Sequence, residues 1–210
     1  MILNQLASAQ NRNDEKPNIV LAEKIAKSND AKAVQELVAH LTDKGTAIPN
    51  DCIKVLYEVG DRKPKLIAKH LDTFVALLTH KNNRLQWGAM TALHCISRVD
   101  PKGIYTQRAK ILVAANSGSV ITRDYAVNIL IELASVKQFS KEAFKLLLDQ
   151  LKTSPDNQLP MYAERAMTIV NVANQKDFLR VLQARVGNVK PLSKQKRVEK
   201  VIKKIAVLNT

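Results

Sequence analysis

Residues 84–96 read RLQWGAMTALHCI, and this stretch predicts an amphipathic α-helix whose pattern returns along the chain. Its apolar residues follow the spacing i, i+3, i+4 and i+7, which places them on one face of a helix. Five sets share this spacing: Cys52, Val55, Leu56 and Val59; Ala89, Ala92, Leu93 and Ile96; Ala126, Ile129, Leu130 and Leu133; Ala166, Ile169, Val170 and Ala173; Val198, Val201, Ile202 and Ile205. Successive sets begin 37, 37, 40 and 32 residues apart. A period of this length indicates a helical solenoid.

The composition fits helices that pack through aliphatic side chains. Of the 210 residues 46% are hydrophobic, yet only four Phe, four Tyr and one Trp are present. Six Gly and seven Pro are too few for a disordered chain or for many tight hairpins. We expect residues 1–16 to form a loosely attached segment or a short helix. Residues 17–210 should form a single all-α domain of about five helical hairpins, with one or two extra helices in front.

The repeated unit resembles the HEAT repeat. A first helix that often begins at proline is followed by a loop with Asn or Asp and by a second helix of the pattern x-A-x-x-A-L-x-x-I. Residues 71–78 with 89–93 match best, residues 120–133 come second, and the resemblance covers about residues 30–207. It implies a right-handed α-α superhelix whose second helices line a concave groove. It implies no particular chemistry, because one fold carries many functions.

Positive charge is concentrated in the C-terminal two-thirds of the chain. Residues 1–60 contain 7 basic and 8 acidic side chains, residues 61–137 contain 12 and 5, and residues 138–210 contain 14 and 6. The net charge of +14 favours an anionic partner such as an acidic protein surface, nucleic acid or an anionic membrane surface. A surface that only improves solubility is the alternative.

Cysteine usage and hydropathy predict a cytoplasmic protein. Two cysteines do not form a disulfide framework, and no apolar run reaches the roughly 18 residues of a membrane-spanning helix. Residues 1–10 lack the basic and apolar regions of a signal peptide.

Positions opposite the apolar set should face the groove of a HEAT-like solenoid. The predicted groove-binding residues are Tyr57, Arg84, Trp87, His94, Arg98, Asn128 and Asn171. Trp87 is the single tryptophan, and its equivalents in the other repeats are polar, which predicts that it is exposed. Two interpretations stay open: Trp87 packs under a neighbouring helix or loop, or it anchors a partner in the groove beside basic residues.

A basic amphipathic helix is predicted near the C-terminus. Its basic residues are Lys190, Lys194, Lys196, Arg197, Lys200, Lys203 and Lys204. They form either the solvated face of a helix that closes the solenoid or a patch that contacts phosphates.

The sequence contains little that indicates catalysis. The four histidines show no metal-binding spacing with one another or with the cysteines, so neither a metal nor a cofactor is implied. Asp124 and Glu164 lie on the predicted groove face, where carboxylates usually pair with Lys or Arg. HEAT-like DNA-alkylation-repair glycosylases resemble the chain in size, charge and a groove tryptophan with a carboxylate. The chain differs from these enzymes in two ways: it has no aromatic pair followed closely by Asp, and it has no second tryptophan.

We therefore predict a non-enzymatic HEAT-like module that binds an acidic or extended protein or peptide. A nucleic-acid-binding protein that uses the basic C-terminal two-thirds is the alternative, and a glycosylase is a more distant one.

Overall fold

The computed structural model describes residues 2–207, which form thirteen α-helices and four short 3-10 helices and contain no β-strand. The α-helices are α1 Lys16–Ser28, α2 Ala31–Ala39, α3 Ala47–Arg62, α4 Pro64–Ala68, α5 Leu71–Leu77, α6 Asn83–Ser97, α7 Pro101–Thr106, α8 Arg108–Ser117, α9 Val120–Ala134, α10 Ser140–Thr153, α11 Leu159–Ala166, α12 Gln175–Val186 and α13 Leu192–Ala206. The 3-10 helices are Ile2–Gln5, Ser8–Gln10, His40–Thr42 and Met167–Ile169. None of the helices in this range is long and apolar enough to span a membrane.

The contacts divide the chain into two compact units, Met1–Ala126 and Val127–Thr210. In the first unit α1 packs on α3 and α3 packs on α6, while α2 and α4 contact α3 and α5 contacts α6. In the second unit α10 packs on α12, and α13 contacts both α11 and α12. Helices one repeat apart therefore lie side by side, as the period predicts. The single domain over residues 17–210 stays a prediction, and Met1 and residues 208–210 lie outside the described range.

Four of the five repeated apolar sets lie in the core, whereas in the set that begins at Ala166 only Ala166 itself is buried. All residues of the sets that begin at Cys52, Ala89 and Ala126 are at most 1% exposed, and three of the four in the last set are buried. Gly88 brings α3 and α6 close together, since a Cβ atom there would lie 2.6 Å from Cγ1 of the buried Ile53. The all-α repeat architecture predicted from the sequence is therefore confirmed.

The helix predicted from the set Ala166, Ile169, Val170 and Ala173 is wrong after its first member. The chain leaves α11 at Ala166, passes through the Met167–Ile169 3-10 helix and becomes extended at Val170. Asn171 Oδ1 accepts a hydrogen bond from Ala173 N at 2.9 Å, and Asn174 Oδ1 accepts one from Asn171 N at 2.8 Å. These side chains compete with helical hydrogen bonds, and the β-branched residues around them have low helix propensity.

The sequence left residues 1–16 open as a loose segment or a short helix. Leu6 is fully buried between two 3-10 helices, and Ala7 N donates to Asn18 Oδ1 at 2.9 Å. Ser8 N donates to Asp51 Oδ2 at 2.8 Å, which ties the segment to α3. In α1 the buried residues Asn18, Leu21, Ala22 and Ile25 repeat the apolar spacing. The apolar pattern of the sequence does not reveal this sixth set, because its first member is polar.

Candidate functional site

Two aromatic rings on neighbouring helices form the centre of the site. Tyr57 of α3 and Trp87 of α6 have ring centroids 5.8 Å apart and planes tilted by 47°, a favourable aromatic geometry. Tyr57 is 9% exposed, whereas Trp87 is half-buried. Trp87 therefore packs against the neighbouring helix and still presents part of its ring.

The first turn of α6 is held in place by asparagine side chains. Asn82 Oδ1 accepts a hydrogen bond from Arg84 N at 2.9 Å and so caps the helix. Asn82 Nδ2 donates to Asn50 Oδ1 of α3 at 2.9 Å. Both bonds orient the turn that carries Arg84 and Trp87 with respect to α3.

Each ring has a cation one helical turn before it. Lys54 Nζ lies 4.9 Å from the centroid of the Tyr57 ring, and the Arg84 guanidinium lies 5.3 Å from that of the Trp87 ring. The spacing is i, i+3 in both helices, which makes the paired side chains neighbours on the helix surface. Lys54 was not among the predicted site residues. The shared pattern, K-x-x-Y in α3 and R-x-x-W in α6, could have identified it.

Two carboxylates neutralise part of this positive charge. Glu15, at the start of α1, pairs with Lys54 Nζ at 2.9 Å and also with Arg84 Nη2. Glu58 pairs with Lys54 at 2.9 Å and with Arg62 at 2.6 Å. We name Lys54, Tyr57, Arg84 and Trp87, with Glu15, the α3–α6 site.

Burial and ion pairing act in opposite directions on the ionisable groups of this site. Burial alone raises the pKa of Glu15, but the hydrogen bonds from Arg84 and Lys54 outweigh it and hold that pKa below its usual value. Burial lowers the pKa of Lys54, but hydrogen bonds to Glu58 and Glu15 outweigh it and raise that pKa above its usual range. Both groups are therefore charged at neutral pH.

The other predicted groove residues of the first unit have separate partners. The rings of His94 and Tyr125 have centroids 5.7 Å apart. Arg98 Nη2 donates to Gly60 O at 3.3 Å and pairs with Asp61 at 3.4 Å, so it binds the C-terminal end of α3. Arg98 thus contributes to the packing of α6 on α3 through the free carbonyl groups of that helix end.

In the second unit, Asn128 and Asn171 make polar contacts of their own. Asn128 Oδ1 accepts a hydrogen bond from Arg165 at 3.0 Å. Asn171 lies in the loop after the Met167–Ile169 3-10 helix and lines a cleft of about 490 Å³ together with Phe144. The loop after the early end of α11 forms one wall of this cleft, so the helical pattern of the sequence does not predict the cleft.

The predicted basic patch lies on α13, except for Lys190, which precedes this helix. Arg197 donates two hydrogen bonds to the Glu164 carboxylate, at 2.8 and 2.6 Å, and this interaction holds the pKa of Glu164 below its usual value. The pairing of Glu164 with arginine is the role expected for it. Lys194 Nζ donates to Asn157 Oδ1 at 2.7 Å. The remaining basic residues, Lys190, Lys196, Lys200, Lys203 and Lys204, are exposed.

Both cysteine thiols, Cys52 and Cys95, are free and buried. Burial raises the pKa of the Cys52 thiol to about 12 and that of Cys95 to about 11, so both are protonated at neutral pH. In the part of the chain that the structure describes, no three His, Cys, Asp or Glu side chains group as metal ligands.

Solved structures resemble the chain over nearly its whole length. No protein-family model and no curated protein matches the sequence. A designed armadillo repeat protein in complex with the peptide (KR)4 aligns with a TM-score of 0.63, 14% identity and 97% coverage of both chains. A computationally designed armadillo repeat protein for modular peptide recognition aligns with a TM-score of 0.62 and 12% identity, over 97% of this chain and 98% of that one. An engineered protein aligns with a TM-score of 0.60 and 20% identity, over 97% of this chain and 98% of that one. The chain therefore has an all-α superhelical repeat fold of the HEAT/armadillo type.

Proposed function

We propose that the protein is a non-enzymatic binding module that recognises an acidic, extended segment of another protein at the α3–α6 site. The observation that carries the proposal is the pair of cation–aromatic units, Lys54 with Tyr57 and Arg84 with Trp87, on adjacent helices. Aromatic and arginine side chains dominate the binding energy of many protein interfaces. Two cations beside them favour a carboxylate over a neutral or basic group.

Charge supports an acidic partner. The first unit contains 18 Lys and Arg against 12 Asp and Glu in residues 1–126. The designed armadillo protein was solved with a peptide of Lys and Arg. For the present chain the complementary peptide would carry the opposite charge, because matched potentials raise the association rate and exclude wrong partners.

Titration of a fluorescein-labelled octapeptide of alternating glutamate and leucine tests the proposal. We expect the wild type to bind this peptide and not the alternating lysine–leucine peptide. Arg84→Ala should raise the Kd by about tenfold, since charge-assisted hydrogen bonds are worth about 1.5–3 kcal/mol and this side chain is partly exposed. Trp87→Ala should raise it by about tenfold or more, as expected of an aromatic anchor.

Arg108→Ala is the matched control. Arg108 lies 4.2 Å over the Tyr105 ring, so its loss removes the same type of cation–aromatic contact away from the site. The Kd of this variant should stay within about twofold of the wild type, the effect of losing one charge outside the site. Equal effects of Arg84→Ala and Arg108→Ala would refute the assignment of the site.

A second candidate function is nucleic-acid binding by the second unit. The exposed lysines of α13 favour it, because neutralisation of phosphates by lysine releases counterions. Titration with a duplex and a single strand at two salt concentrations tests it. Affinity should fall steeply as salt rises, and Lys200→Glu combined with Lys203→Glu should weaken binding to both. Absence of binding at low salt removes this candidate. Asn128 and Asn171, and the glycosylase alternative, stay predictions from the sequence.

A further inference from the structure

Glu15 is a carboxylate already seated on the α3–α6 site. It occupies the N-cap position just before α1, and its side chain reaches Lys54 in α3 and Arg84 in α6, a residue 69 positions further along the chain. It therefore contacts the cations of both cation–aromatic units. Glu58, by comparison, pairs with Lys54 and Arg62, on one side of the site.

We infer that the Glu15 carboxylate is an intramolecular occupant of this site, held where a carboxylate of the acidic partner binds, and that the partner displaces it. The inference rests on the proposed function. It also specifies the partner chemistry: an aspartate or glutamate that bridges Lys54 and Arg84, next to an apolar side chain that covers the exposed part of the Trp87 ring.

Displacement needs only a rotation of the Glu15 side chain. That side chain is 41% exposed, so it can turn into solvent without leaving a cavity. The backbone before it is anchored, because Ala7 N and Ser8 N bond to Asn18 and Asp51. The N-terminal segment can therefore stay docked while the side chain moves.

The cations stay solvated or paired once Glu15 leaves. Lys54 has a side chain only 8% exposed, but its ion pair with Glu58 at 2.9 Å remains. Arg84 has a side chain 31% exposed, so water or the partner can reach it. An unpaired buried charge, which would oppose the exchange, is thus avoided. Hydrogen bonds from both cations keep the pKa of Glu15 low, so the occupant is an anion at neutral pH.

The same geometry would be found if Glu15 formed only a structural salt bridge, but the two roles have different consequences. If the salt bridge is only structural, the loss of Glu15 lowers stability and leaves peptide affinity unchanged. If Glu15 competes with the peptide for the site, its loss raises the fraction of molecules with an open site, and the Kd for the peptide falls in proportion.

The test compares Glu15→Gln with Glu23→Gln. Glu23 lies in α1, is exposed and pairs with Arg62 at 3.2 Å, so its substitution makes the same change in net charge. The alternating glutamate–leucine octapeptide is titrated against both variants and the wild type. We expect Glu15→Gln to lower the Kd by about three- to tenfold, the effect of removing two partly exposed ion pairs that compete with the peptide. Glu23→Gln should change it by less than about twofold.

The outcomes separate this inference from the proposed function. If the wild type binds the peptide in an Arg84-dependent manner but Glu15→Gln leaves the Kd unchanged, the inference that Glu15 occupies the site is refuted and the proposed function stands. If both glutamine variants lower the Kd equally, the change in net charge explains the result, and the inference that Glu15 occupies the site is again refuted. If neither the wild type nor Glu15→Gln binds the peptide, the proposed function and the inference both fail.

Discussion

Replacement of Gly88 by alanine should force apart the two helices that carry the α3–α6 site. A Cβ atom at this position would lie 2.6 Å from Ile53 Cγ1 and 3.3 Å from Ile53 Cγ2. Carbon atoms pack at about 3.5–4.0 Å, so one of the two helices must shift. Ile53 is fully buried and cannot swing aside into solvent.

The expected net destabilisation is about 1 kcal/mol. Overpacking of a well-packed core costs about 1–3 kcal/mol. Alanine is favoured over glycine within a helix by about 1 kcal/mol, which offsets part of that cost. A loss of 1 kcal/mol lowers the Tm of a protein of this size by about 2–4 °C. The emission of Trp87 should also change, because the adjacent backbone moves with respect to Tyr57.

Urea unfolding followed by circular dichroism and by the emission of the single tryptophan measures this effect. Gly187→Ala is the control, since a Cβ there meets no atom within 4 Å and should be neutral or stabilising. In an Ile53→Ala background the nearest remaining distance is 3.6 Å, an ordinary contact. There Gly88→Ala should become stabilising, by up to about 1 kcal/mol. The same sign in both backgrounds would refute the reasoning.

Two further predictions concern the N-terminal segment. Asn18→Ala should cost about 1–3 kcal/mol in thermal unfolding, because it leaves the buried Ala7 N without its hydrogen bond; a change below about 0.5 kcal/mol would argue against an anchored segment. The pKa of Glu15 is below its unfolded value of 4.5, so its contribution to stability is present above about pH 4.5. It is lost as the pH falls through the lower, folded pKa. Glu15→Gln should therefore flatten the acid side of the stability profile, whereas an unchanged profile contradicts the ion pairs.

Helical periodicity identified part of the candidate site. Tyr57, Arg84 and Trp87 were selected because they lie opposite the apolar set, and the structure brings the three together. Lys54 lies on the same face and was passed over, although it is one turn before Tyr57. Glu15 could not be found in this way, because it lies just before α1, outside the helical repeat, and no local pattern relates it to Arg84.

The break in α11 shows a second limit of periodicity. The apolar set that begins at Ala166 has the correct spacing, yet its later members leave the helix. Hydrogen bonds that the Asn171 and Asn174 side chains accept from the local backbone decide the conformation there. The spacing of apolar residues reports which face a helix would bury, and it does not weigh this competition.

Most of the helices, their period and most of the core follow from the amino-acid sequence alone. These depend on hydrogen bonds four residues apart and on the burial of one helical face, and both leave a regular pattern along the chain. Only the tertiary structure decided that Lys54 and Arg84 share one carboxylate, and that this carboxylate is Glu15. Such contacts depend on the distances at which α1, α3 and α6 pack, and the lack of a side chain at Gly88 opposite Ile53 permits the close approach of α3 and α6. These distances depend on residues far apart in the chain, so no local pattern of the sequence predicts them.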